Sequence, residues 1–190
     1  MFPTTVWTLI RDAGGEDAAA WEVFARGYRR PVLDYIRGRA GADDAEDLCQ
    51  EVFVRLFRGK VLQKADRDRG RFRSLLLTVV RRVIQDWFRR RRPMLPLPDL
   101  EPADRDADFD RAWAVHLTER AMQSLKEQRS PYYEVLQSHL SGETVHRNKL
   151  WIARGKLSSL IRKEIALTCR TPEEAEEEIA YLSRYLRPSK

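Results

Sequence analysis

Residues 72–92 read FRSLLLTVVRRVIQDWFRRRR. Phe72, Leu75, Leu76, Val79, Val80, Val83, Ile84 and Trp87 recur at steps of three and four, which winds into one stripe along an α-helix. Arg73, Arg81, Arg82 and Arg89 to Arg92 fall between them and predict a basic face opposite the stripe. This is the strongest helical pattern in the chain, and no run of alternating apolar and polar residues competes with it. The chain reads as all-α.

Upstream, residues 43–57 (DDAEDLCQEVFVRLF) repeat the design with the opposite charge. Ala45, Leu48, Val52, Leu56 and Phe57 form the apolar stripe, while Asp43, Asp47, Gln50 and Glu51 share another face. A mixed-charge loop, residues 59–71, joins the two helices. Further back, Trp21, Phe24, Ala25, Tyr28, Val32, Tyr35 and Ile36 predict another helix capped by Asp17, which Pro31 should kink or break. Residues 5–12 could add a helical turn or two before Gly14-Gly15.

Downstream, Pro93, Pro96, Pro98 and Pro102 sit in an acidic stretch that reads as a semi-extended linker. Residues 99–110 hold six acids and one arginine, whereas residues 64–92 hold eleven basic residues and three acids. Such segregation argues for a two-part molecule better than the overall charge of +6 does. Beyond the linker the pattern predicts helices over 110–128, 131–140, 144–169 and 171–186. Thr171 with Pro172 and Glu174 forms a capping sequence for the last of them.

A length of 190 residues allows one to two domains, and 43% hydrophobic with 34% charged residues fits a globular protein rich in charge. Cys49 and Cys169 match no disulfide framework, and His116, His139 and His146 make no zinc-binding spacing with them. No nucleophile–base set, phosphate loop or carboxylate cluster is present, so no catalytic residue, metal or cofactor is expected, and no small-molecule substrate. The N-terminus lacks a signal-peptide pattern and no run is long enough for a membrane span. A cytoplasmic protein without membrane contact is expected.

Asp47, Gln50, Glu51 and Arg55 give the first helix an outward polar face suited to docking a protein. The arginines of the second could hold phosphates, with Trp87 beside them as a stacking surface for single-stranded bases. An ordinary solvated face is the simpler reading of either pattern alone. The wording of the strings favours more: AEDLCQEVFVRLF resembles the "AEDLvQEvFlrlw" segment of extracytoplasmic-function sigma factors of bacterial RNA polymerase. Likewise DRDRGRFRSLLLTVVRRVIQDWFRRRR resembles their "dperGsFraWLlriarnlaiDylRrrr", with Leu75 where the family usually has tryptophan. The similarity covers residues 18–92 closely. It extends loosely to residues 3–10 and to FDRAWAVHLTERAMQSL (109–125), which resemble members found among planctomycetes and their relatives.

That resemblance implies a region-2-like domain over residues 1–92, a linker over 93–108 and a region-4-like domain over 109–190. In the family, the first helix grips the largest polymerase subunit, which assigns Asp47, Gln50, Glu51 and Arg55 to core RNA polymerase. The loop and second helix melt promoter DNA and hold a flipped-out base. This implies DNA contacts at Arg69, Arg71, Arg73, Arg82, Trp87, Arg89, Arg90, Arg91 and Arg92. In the distal part, residues 140–145 run almost directly into VHRNKLWIARGKLSSLIRKEIA, so its helix-turn-helix is one short helix smaller than usual. Arg147, Asn148 and Lys149 stand where such a helix reads DNA. The expected protein is a sigma factor that carries polymerase to promoters, held in check by a protein antagonist of anti-sigma type. The rival is a sigma-derived adaptor that binds polymerase or a regulator without opening DNA. Trp151 is expected in the core.

Overall fold

The computed structural model describes residues 18–58, 72–91, 106–169 and 171–186. Seven helices are found there and no strand: α1 (Ala18–Ala40), α2 (Ala45–Arg58), α3 (Phe72–Arg91), α4 (Ala107–Glu127), α5 (Pro131–Leu140), α6 (Arg147–Leu167) and α7 (Pro172–Leu182). The all-α class expected from the periodicity is the one observed. Residues 5–12, the Asp17 cap, the loop over 59–71 and the linker over 93–105 lie outside the described residues.

The apolar stripes go where their spacing directs. Leu48, Cys49, Val52, Phe53 and Leu56 of α2 are buried against α1 and α3. Helix α3 buries Phe72, Leu76, Leu77, Val79, Val80, Val83 and Ile84. Pro31 does not break α1, which runs as one helix past it. The proline forfeits one hydrogen bond and crowds the carbonyl of Gly27. Burial of Val32, Leu33, Tyr35 and Ile36 immediately beyond it outweighs that cost.

The core does not stop at the proline-rich stretch. Helix α4 packs on both α1 and α6. Its Trp113, 1% exposed, stacks on Tyr28 of α1 with ring centroids 5.5 Å apart and planes 10° from parallel. Phe72 of α3 meets Trp113 at 6.1 Å, and Phe109 meets Tyr35 edge-on at 5.4 Å. A single cluster of buried residues thus draws on α1, α2, α3, α4, α6 and α7. A smaller cluster of Leu125, Leu136 and Ala153 holds α5 between α4 and α6.

Caps fix the helix starts that matter. Asp106 opens α4 by accepting hydrogen bonds from the backbone N–H groups of Asp108 and Phe109. Thr171 opens α7, its hydroxyl accepting from the N–H of Glu174 at 3.2 Å. Between α5 and α6 the chain turns at Gly142, whose φ of +81° lies in the left-handed region that glycine enters without penalty. Helix α6 starts at Arg147, three residues later than the pattern suggested, with the His146 ring accepting from the N–H of Asn148.

Candidate protein and nucleic-acid interfaces

The stripe of α2 faces inward, so its polar face must face out. Asp47 and Gln50 are exposed and have no side-chain hydrogen bond among the described residues. Glu51 and Arg55 differ. Arg55 binds Glu51 one turn back, and at 2.7 Å it also binds Asp86 of α3. Burial works against the Arg55 charge, but the hydrogen bonds that Arg55 donates to Asp86 and Glu51 outweigh it and hold the guanidinium protonated. The α2 face therefore presents Asp47 and Gln50 outward and uses Glu51 and Arg55 partly to fasten α2 to α3.

The basic residues of α3 divide into two sets. Arg82, Arg89, Arg90 and Arg91 are exposed. The last three reach acids at its C-terminal end: Arg89 to Asp86 at 3.6 Å, Arg90 to Glu51 at 3.2 Å and Arg91 to Asp44 at 2.8 Å. Pairs this open to solvent contribute little stability and are readily exchanged. Trp87 is half-buried, with Phe88 edge-on at 4.7 Å and the Arg91 guanidinium over its ring at 5.1 Å.

Arg73 is placed elsewhere. Its side chain is 2% exposed and lies between two carboxylates, paired with Asp110 of α4 and, through Nε at 2.7 Å, with Glu178 of α7. Tyr181 lies under the guanidinium at 4.8 Å and donates its hydroxyl to Asp110 at 2.5 Å. Arg73 is thus separated from the exposed arginines and spends its donors inside the protein. Arg81 does the same eight residues further along α3: its Nη2 binds Asp106 at 2.9 Å, and the Tyr35 hydroxyl donates to that carboxylate too. Arg39 adds a second cation to Asp106.

The electrostatics of these two acids diverge. Burial pushes both carboxyls up, but at Asp106 the hydrogen bonds from Tyr35 and Arg81 win, and its pKa falls below the usual range. At Asp110 burial wins over the hydrogen bond from Tyr181 and the charge of Arg73, so its pKa rises. Neither partner was visible from the spacing of α3, because Asp110 and Glu178 come from α4 and α7.

On the distal side, α5 and α6 follow one another with a turn at Gly142 between them. Arg147, Asn148 and Lys149 all lie exposed at the start of α6. Trp151, expected in the core, is 77% exposed. The buried side of α6 runs through Ala153, Leu157, Ile161 and Ile165 at four-residue steps. Trp151 is two residues, or about 200°, away from that line, and so points to the opposite side. Arg69, Arg71 and Arg92 lie outside the described residues.

Among the described residues, no group of His, Cys, Asp and Glu could hold a metal, and no helix is long and apolar enough to cross a membrane. Searches of curated proteins and of solved structures find no significant match to the chain. Residues 24–93, which span most of α1 and all of α2 and α3, match the Sigma-70 region 2 family.

Proposed function

We propose that the protein is a transcription initiation factor of the extracytoplasmic-function sigma type, in the planctomycete-like subgroup. It joins core RNA polymerase through α2 and leads it to promoter DNA through α3. The observation that carries this reading is the Sigma-70 region 2 match over residues 24–93, laid on a face where Asp47 and Gln50 stand exposed beside the arginines of α3. The factor performs no chemistry of its own and works in the cytoplasm, where polymerase is. It needs no cofactor.

In this reading Asp47 and Gln50 are the central polymerase contacts, with Glu51 and Arg55 at the edge. Arg82, Trp87 and Arg89 to Arg92 meet the single-stranded and duplex parts of the minus-ten element, joined by Arg69 and Arg71. Region-4-like duties fall to residues 109–190, where Arg147, Asn148 and Lys149 offer a secondary duplex contact. An anti-sigma protein is the expected antagonist.

The test is run-off transcription from a promoter library with purified core polymerase. A sigma factor starts RNA at defined promoters, and an adaptor does not. Asp47→Lys with Gln50→Ala should weaken polymerase association by ~2–4 kcal/mol while leaving the circular dichroism native, since central interface residues carry most of the binding energy. Undiminished polymerase binding by that folded double variant would remove the assignment of α2.

A further inference from the structure

Trp87 and Arg91 are four residues apart on α3 and so share one face of the helix. The Arg91 guanidinium lies over the indole, 5.1 Å from its centroid, and Nη2 donates to Asp44 Oδ1 at 2.8 Å. The rest of the indole is committed elsewhere. Phe88 meets it edge-on at 4.7 Å, and the ring packs on the main core. Its Nε1–H is buried without a partner among the described residues, an unusual seat for a tryptophan placed only for stability. The face that Arg91 covers is a flat surface of the size a base can stack on.

We propose that Asp44 is a positioning residue for single-stranded nucleic acid, parking Arg91 across Trp87 until a backbone phosphate draws the arginine away. The base next to that phosphate then stacks on the uncovered indole. Each step exchanges like for like. Arg91 trades a carboxylate for a phosphate, and the indole trades a guanidinium plane for a base plane. The starting pair competes weakly, because Arg91 is 59% and Asp44 24% exposed. Asp44 can bear the loss of its partner, since it immediately precedes α2 and sits at the positive end of that helix dipole. The inference rests on the nucleic-acid role proposed above for Trp87 and adds Asp44, just ahead of the acidic helix, to the same site.

The experiment is fluorescence anisotropy of labelled oligothymidine, and of the same strand carrying abasic sites, with the full chain over a range of salt. Asp44→Asn should bind oligothymidine roughly two- to five-fold more tightly at unchanged salt slope, because the competing carboxylate is gone while the phosphate contact stays. Asp44→Glu should restore wild-type affinity. Arg91→Ala should lower the logarithmic salt slope by about 0.7, the loss of one phosphate contact on a single strand. It should keep the preference for bases over abasic sites, since the indole is then permanently open. Unchanged or weaker binding by Asp44→Asn, or an unchanged slope in Arg91→Ala, overturns the proposal. Trp87→Ala separates the two levels. If it removes the base preference while the Asp44 and Arg91 variants behave as wild type, only the parking role falls. If it leaves the preference intact, the stacking role of Trp87 falls with it.

Discussion

Single residues show where the reading of the chain succeeds and where it stops. The stripe of α3 was legible because a helix that buries one side repeats every three to four residues. Arg73 and Arg81 broke the same logic, since they occupy the arginine face but are 2% and 5% exposed. What makes their burial affordable is a set of carboxylates 25 to 105 positions away in the chain, which no local pattern reports. Arg73→Ala should therefore cost ~3–5 kcal/mol in a urea unfolding experiment, because it removes the buried cation that faces the carboxylates of Asp110 and Glu178. His116 carries a pH signature of its own. It is 7% exposed beside Tyr28 and Trp113, and burial, with the positive charges of Arg120 and Arg30, drives its pKa from 6.5 down to about 4. The native state thus resists the proton that the unfolded chain accepts. Its contribution is whole above pH 6.5 and is lost as pH falls towards 4. At pH 5 the loss is roughly 2 kcal/mol. His116→Gln should shrink the difference in unfolding free energy between pH 7 and pH 5 by about that amount, as read by denaturant titration at the two pH values.

Helices were easier to foresee than their neighbours were. The boundaries of α2, α3 and α5 follow from stripe, cap and breaker residues, all of which act within a few positions. The continuity of α1 through Pro31 did not follow, because the burial that overrides the proline is tertiary. Two changes probe how each element is held. Gly27 sits in the middle of α1, and a Cβ added there would meet only the Arg120 side chain, at an ordinary 3.6 Å. Gly27→Ala should raise stability by ~0.5–1 kcal/mol, since alanine loses less backbone freedom on entering a helix, and the midpoint of thermal unfolding reports it. At α7 the direction reverses. Thr171→Ala removes the hydroxyl that accepts the Glu174 N–H and should cost ~1 kcal/mol. Of the candidate site, the exposure of Asp47 and Gln50 on α2 and of Arg89 to Arg91 on α3 was legible in the string, whereas the crosslinks Arg55–Asp86, Arg90–Glu51 and Arg91–Asp44 needed the fold to bring α2 against α3.

Across the whole molecule, charge composition suggested a division at the proline-rich acidic stretch, and the buried contacts run across it. Tyr28 stacks on Trp113, Arg73 is enclosed by α4 and α7, and Asp106 gathers Tyr35, Arg39 and Arg81. The described helices should accordingly unfold as one cooperative unit. Urea transitions followed by far-ultraviolet circular dichroism and by tryptophan fluorescence should coincide, and two separated steps would show independent halves. A chain cut once between residues 92 and 105 should likewise elute as one species, its pieces held together by the shared core. That continuity bears on how such a protein can be recombined. A chimera joined at the proline-rich stretch would leave Arg73 and Arg81 facing foreign side chains in place of Asp110, Glu178 and Asp106, and so lose the carboxylates that neutralise two buried cations. Helix α6 bridges the two clusters, with Ala153 in the small one and Ile161 and Ile165 in the main core, so it too is tied to the rest of the molecule. Helices α4 and α7 must therefore travel with the helices whose buried arginines they neutralise.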